Sequence, residues 1–228
     1  MLPAARYALY FAPPSGHALA RAGAAWLGRD AADPADHRPA PPERGEPWRY
    51  GFHATLKPPM RLRHADDQAG LFDAIAALAT ATPAFAMPAL EVAMLSGFLA
   101  LRPREPLARE HALWRLADAC VQELDDWRAP PDAAETARRQ ALSLDAEQQA
   151  LLARWGYPHL LQRWRFHLTL SNRAPSAALV QAAREHFAAA LAEPLRCEDL
   201  CLFVEPTPGA PLQLARRFRL GATGPGAR

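Results

Sequence analysis

Lysine is almost absent from this 228-residue chain: 25 of its 26 basic residues are arginine, and Lys57 is the exception. With the alanine excess, that bias reads as a GC-rich genome and carries no functional weight. Cysteine is nearly as scarce. Cys120, Cys197 and Cys201 form an odd set with no extracellular signature, which speaks against a disulfide framework and for a reducing cytosol. Cys197-Glu-Asp-Leu-Cys201 lacks the close spacing of a zinc site and has no second pair, so the thiols read as structural. No basic segment followed by an apolar run opens the chain, so no secretory signal is expected. Long hydrophobic runs are missing too: the longest uncharged stretch, Ala74 to Leu90, is short and broken by Pro83 and Pro88, a poor membrane span. A net charge of +2 gives no argument for a polyanionic partner. Half the residues are hydrophobic and 22 % are charged, a globular composition far from disorder. A soluble, cytoplasmic protein is expected.

What is present alternates between strand and helix signals. Arg6 to Phe11 reads as a strand stopped by Pro13-Pro14. Ser15 is placed to cap a helix running to Leu27, with Gly28 as its stop. Asp33 to Trp48 holds five prolines and reads as a long irregular loop. A strand from Tyr50 to Leu56 closes at Pro58-Pro59. Asp66 or Asp67 then caps a helix with Leu71, Phe72, Ile75 and Leu78 on one face. Strands between Phe85 and Arg102 turn at Ser96-Gly97, and a long helix is predicted from about Glu105 to Trp127. After the break at Arg128 to Asp132, Asp145 and Gln148 form a capping box for a helix ending at Trp155 and Gly156. A strand spans Trp164 to Ser171, a helix capped by Ser176 follows, and strands at Arg196 to Val204 and Leu212 to Leu220 close the chain. Strand, helix and paired strands occur twice, an α+β order with a suspected internal duplication.

The duplication is visible in residues. Phe52-His53-Ala54-Thr55-Leu56 matches Phe166-His167-Leu168-Thr169-Leu170 at four of five positions. Side chains alternate across a strand, so His and Thr share one face while Phe and Leu take the other. Lys57 continues the polar face of the first copy, and Arg165 and Ser171 extend that of the second. Two imidazoles suit a phosphodiester: one takes a proton from water, the other gives one to the leaving oxygen, and both titrate near neutrality. Threonine hydroxyls and a cation would hold the phosphoryl oxygens. A lone strand histidine is more often structural, and threonine suits strands anyway. The matching phase of the two copies is what favours a paired site.

Both His-x-Thr-Leu strands resemble the signature of the 2H phosphoesterase superfamily. RYALYFAPP, WLGRD, RYGFHATLKPP, WGYP and RFHLTLSNR resemble more narrowly the branch encoded in bacterial phosphonate-utilisation operons. The resemblance implies two pseudo-symmetric lobes, each an antiparallel sheet with outer helices, around a central cleft. It is expected to be one bilobal domain over residues 1–228, with motif strands near 50–56 and 164–171 and a helical insertion near 128–156. It also implies hydrolysis of a cyclic or linear phosphodiester, with His53 and His167 as the acid/base pair and Thr55 and Thr169 as phosphate-binding hydroxyls. A small-molecule phosphodiester, such as a ribose cyclic phosphate, is the expected substrate. Nucleic-acid ends are allowed but not favoured, and neither a cofactor nor a metal is expected. Lys57 and Arg165 read equally as cleft cations or solvated side chains. Tyr157 lines the cleft or packs a turn, and Tyr10 belongs to cleft or core. His17, His37, His64, His111, His159 and His186 lack a partner motif and read as surface or structural. Two other classes stay open: a non-catalytic module that binds a nucleotide or sugar phosphate, and a metal-dependent hydrolase using the same histidines.

Overall fold

The structure is a computed structural model that describes residues 5–36, 38–132, 135–137 and 143–221. His37 and the middle of the expected 128–156 insertion lie outside the described residues. The elements are β1 (Arg6–Phe11), α1 (Ala18–Leu27), α2 (Gly45–Tyr50), β2 (Ala54–Met60), α3 (Gln68–Ala81), β3 (Phe85–Ala86), β4 (Leu90–Leu95) and β5 (Phe98–Pro103). Then come α4 (Ala112–Gln122), α5 (Ala146–Trp155), β6 (Leu168–Arg173), α6 (Ala177–Ala192), β7 (Arg196–Cys197), β8 (Asp199–Glu205) and β9 (Gln213–Arg219).

Strand pairing builds one sheet in the order β2-β1-β8-β9, a second in the order β4-β5-β6, and a short β3-β7 ladder, all antiparallel. This is the expected α+β class, antiparallel sheets with helices packed against them. Apart from α2, α5 and β9, the order β1-α1-β2-α3-β3-β4 recurs as β5-α4-β6-α6-β7-β8. Each half lends its last strand to the other half's sheet: β8 lies beside β1, and β4 beside β5. The Ser96-Gly97 turn between β4 and β5 is the two-residue hairpin that the sequence predicts.

Helix positions follow apolar spacing. Leu71, Ile75 and Leu78 of α3 are buried, as are Leu113, Leu116 and Cys120 of α4. Gly23 in α1 is required by close approach, because a Cβ there would lie 2.1 Å from the Phe52 ring. That contact seats α1 directly on the first motif segment.

Several boundaries differ from expectation. The cap of α1 is His17 and not Ser15: its Nδ1 accepts from the Leu19 N–H at 3.0 Å. His111 does the same for α4, accepting from Leu113 at 3.1 Å. That cap, downstream of Pro106, starts the helix at Ala112 rather than near 105, and a 3₁₀ turn, Asp125–Trp127, follows it. The loop at 33–48 runs into α2 from Gly45, with Pro47 tolerated in its first turn. Strand β2 begins at Ala54 and continues through Pro58-Pro59 to Met60. The prolines do not end it because β2 is an edge strand, whose outer side needs no N–H donors.

Candidate active site

Both motif histidines stand just before their strands, at the turn into β2 and β6, rather than within the ladders. The alternation holds all the same. Phe52, Ala54, Leu56, Phe166, Leu168 and Leu170 are buried, while His53, Thr55, His167 and Thr169 are partly open. The two segments touch: the Trp164 indole N–H donates to the Thr55 carbonyl at 2.8 Å.

Each imidazole is fixed in the same way by its own backbone. His53 Nδ1 lies 2.9 Å from the Gly51 carbonyl, and His167 Nδ1 lies 2.8 Å from the Arg165 carbonyl. A carbonyl only accepts, so Nδ1 carries the proton in both rings and Nε2 is the free lone pair when the ring is neutral. In His53 that Nε2 takes the Thr55 hydroxyl at 3.2 Å. Gly51 makes this possible with φ 79°, a left-handed conformation closed to most residues, and a Cβ there would come 2.7 Å from Ala31 Cβ. An aromatic ring backs each histidine. Tyr10 stacks on His53 with centroids 3.7 Å apart, and Phe98 lies 5.6 Å from His167.

Burial lowers the pKa of both. His53 is pushed down to about 4, chiefly by desolvation and further by the charge of His167, against the Gly51 hydrogen bond. His167 is lowered by desolvation too, and by the charges of His159 and Arg165, against its own carbonyl contact. The effect of His167 on His53 places the two rings in one electrostatic site. At neutral pH both are uncharged in the free protein.

The other expected residues separate. Tyr10 is fully buried and belongs to both the stack and the core; burial raises its phenol well above the ordinary value, and the phenols of Tyr50 and Tyr157 add to this. Tyr157 is 39 % exposed and meets the His159 ring edge-on at 5.7 Å. The Arg165 side chain is exposed on the His167 side. Lys57 does not continue the polar face. A bulge in the β1–β2 pairing, where Thr55 faces Tyr10 and Lys57 faces the adjacent Leu9, turns it inward. Its ammonium is buried against the Val121 carbonyl at 3.1 Å and Asp125 at 3.3 Å, so the solvated-lysine reading is overturned. His159, unassigned by motif, is near enough to depress His167.

Sequence reasoning did not single out Tyr50, Trp164, Phe98 or Arg49. The Tyr50 ring lies 6.2 Å from His53 and also lines a cavity of about 530 Å³, together with Arg49, Lys57, Tyr157 and Glu205. Tyr50 and Trp164 each stand two residues before the phenylalanine that opens their motif, and Arg49 comes just before Tyr50. That adjacency is the signal that points to them. Among the described residues no group of three or more His, Cys, Asp or Glu side chains is placed to hold a metal ion, and no helix is long and apolar enough to cross a membrane.

Each of the two larger antiparallel sheets carries one of the paired His-x-Thr-Leu segments. The family model described as "Protein of unknown function (DUF1045)" matches residues 55–213, and the chain belongs to that family. A protein of Janthinobacterium sp. (strain Marseille) named ribose 1,5-bisphosphate phosphokinase PhnN is 37% identical over 236 residues, covering 96% of this chain and 51% of its own length. A protein of the same name from Laribacter hongkongensis (strain HLHK9) is 35% identical over 221 residues, covering 92% and 51%. The chain thus spans about half the length of these relatives. Among solved structures, E. coli LigT complexed with 3′-AMP aligns with a TM-score of 0.47 at 15% identity, over 96% of this chain and 99% of that one. A phosphoesterase structure aligns at 0.44 and 13%, over 95% and 99%.

Proposed function

We propose that the protein is a metal-independent phosphodiesterase that uses His53 and His167 as its acid/base pair. The observation that carries this is the matched tautomer: both rings are anchored through Nδ1 to their own backbone, which makes Nε2 the acceptor in each, that of His53 meeting the Thr55 hydroxyl at 3.2 Å. His53, held lower, begins neutral and takes a proton from the attacking water. His167 acts from its protonated form and gives that proton to the oxygen that leaves as the P–O bond breaks. Thr55 and Thr169 donate hydroxyls to the phosphoryl oxygens, and Arg165 adds a cation at the rim. Tyr10 holds the His53 ring in place, and Tyr157 closes the side of the site.

A ribose cyclic phosphate is the substrate class we favour, in keeping with the ribose phosphate in the name of the curated relatives. The Gly-Lys-Ser/Thr of a P-loop does not occur in this sequence: its one lysine lies in Leu56-Lys57-Pro58, bound to Asp125. The test is a turnover screen of cyclic phosphodiesters with excess chelator, on wild type, His53→Ala and His167→Ala. Each substitution is expected to lower kcat by at least about 10²-fold while the fold is kept. Near-wild-type turnover in either variant rules out the pair. Loss of wild-type activity on chelation would favour the metal hydrolase, and binding without turnover across the panel would favour the module.

A further inference from the structure

Arg29 leaves α1 just past its left-handed cap, Gly28, and turns inward until only 4% of it is exposed. Among the described residues its guanidinium forms no ion pair. Nη2 donates to the Leu212 carbonyl, and Nε is buried without a hydrogen-bond partner. Burial pulls its pKa below the ordinary value, and Asp36 and Asp30 offset part of that from a distance. A buried cation without a counterion is costly, and an apolar side chain of that volume would serve stability better. The reason for an arginine lies in what it touches.

It touches the back of the His53 anchor. A Cβ on Gly51 would lie 2.7 Å from Ala31 Cβ, 3.4 Å from the Phe203 ring and 3.7 Å from Arg29 Nη2, so these three groups wall the glycine in. The guanidinium also lies 5.2 Å from the ring centre of Trp48, in the helix α2 that leads into Gly51. Leu212, whose carbonyl it takes, donates its own N–H to the Arg49 carbonyl at 2.8 Å, and Leu214 donates to Ala31 at 2.8 Å. One side chain thus joins the exit of α1, the start of β9 and the turn at 48–51. That turn decides the His53 tautomer. The Thr55 hydroxyl can donate or accept, so it suits either form of the ring, whereas the Gly51 carbonyl only accepts and alone puts the proton on Nδ1. His167 takes its carbonyl from Arg165, outside this bracket.

We infer that Arg29 is a positioning residue: by bracing Gly51 between Leu212 and Trp48 it holds the carbonyl that keeps the His53 proton on Nδ1 and leaves Nε2 to accept. It touches no reacting atom. A planar guanidinium can donate along its edge to a carbonyl while its face lies on an aromatic ring, which an ammonium cannot match. Without that brace the glycine is free over a wide range of backbone angles, and its carbonyl can swing away from the imidazole. The effect on rate rests on the phosphodiesterase reading of His53, whereas the effect on the ring does not.

The experiment reads the imidazole nitrogens by NMR in protein labelled with ¹⁵N-histidine, at about pH 8, where both rings are neutral. Wild type is expected to show the Nδ1–H form at both His53 and His167. In Arg29→Met, His53 should move to a mixture with the Nε2–H form while His167 stays as it is. The same variant should lose about 10- to 10²-fold in kcat with KM held within about twofold, and Arg29→Lys should recover part of both. A His53 spectrum unchanged in folded Arg29→Met overturns the inference. So does an equal change at both histidines, which marks general loosening, or a mixture of forms at His53 in the wild type. If Arg29→Met does not fold, Trp48→Leu, which removes the ring beside the guanidinium, decides the matter: His53 should shift the same way, and no shift overturns the bracing. If the wild type hydrolyses no cyclic phosphodiester, the phosphodiesterase reading fails separately, and the nitrogen spectra still decide whether Arg29 sets the ring.

Discussion

The depressed pKa of His53 makes a prediction that can be worked through to a number. Its imidazole, under the Tyr10 ring, titrates near 4 rather than 6.5, and the main cause is desolvation. At about 1.4 kcal/mol per unit, the charged form is disfavoured by at most about 3.5 kcal/mol. A general base must be neutral, so kcat/KM should rise with pH through about 4, where an unperturbed imidazole would rise through about 6.5. The general acid must be charged, and His167 is also lowered, so the rate should fall again at a pH below 6.5. The result is a bell with its maximum on the acid side of 6.5, whose two apparent constants belong to the coupled pair. The same shift acts on stability. Above pH 6.5 His53 is neutral folded and unfolded and contributes nothing. Between 6.5 and about 4 only the unfolded chain takes the proton, so stability falls as pH drops through that window, again by at most about 3.5 kcal/mol. The assays are kcat/KM from pH 3.5 to 8 with chelator, and urea unfolding across the same range. Replacing Tyr10 by Leu should move the acid limb upward, and Tyr10→Phe should not. An acid limb at pH 6 or above in the wild-type enzyme would refute the burial argument. A profile that reaches an alkaline plateau would refute the two-histidine assignment.

Two further substitutions test the surroundings of the pair. Thr55→Ala and Thr169→Ala should each cost about 10- to 10²-fold in kcat/KM, as loss of one donor to phosphoryl charge does; wild-type values in both would reduce the threonines to strand formers. Gly51→Ala forces a left-handed φ of 79° on a Cβ that meets Ala31 at 2.7 Å. It should lower stability by about 1–3 kcal/mol and displace the carbonyl that holds His53. Thermal unfolding and kcat together check it, and an unchanged kcat in the folded variant would show that the carbonyl does not position the ring.

What was legible in the sequence was whatever depends on local period. The Phe-His-x-Thr-Leu phase placed Phe52 and Leu56 inside and His53 and Thr55 at the opening, because a period of two survives any tertiary arrangement. Leu71, Ile75 and Leu78 were legible for the same reason. Lys57 was misjudged because a bulge shifts the phase by one residue, and no residue type announces it. The helix caps at His17 and His111 were missed because histidine is outside the usual capping set. Yet both begin the same tripeptide, His-Ala-Leu, each after the first strand of its half. That echo was readable as part of the duplication. Long-range partners stayed invisible: Glu205 between Arg6 and Arg49, or the Trp164 bond to Thr55, join positions that only the folded chain brings together.

The loan of one strand from each half to the other's sheet has a consequence for synthesis. β1 and its neighbour β8 are far apart in sequence: Arg6 pairs with Glu205, 199 residues on. The β4–β5 hairpin can close early, but the sheet that carries His53 stays one neighbour short until β8 has emerged. Such distant pairing costs loop-closure entropy before it returns any contact, so folding should be slow. A cut at Ser96-Gly97 would separate two halves that each hold a histidine, and neither would have the neighbouring strand its sheet needs. The two motif histidines thus belong to one indivisible unit.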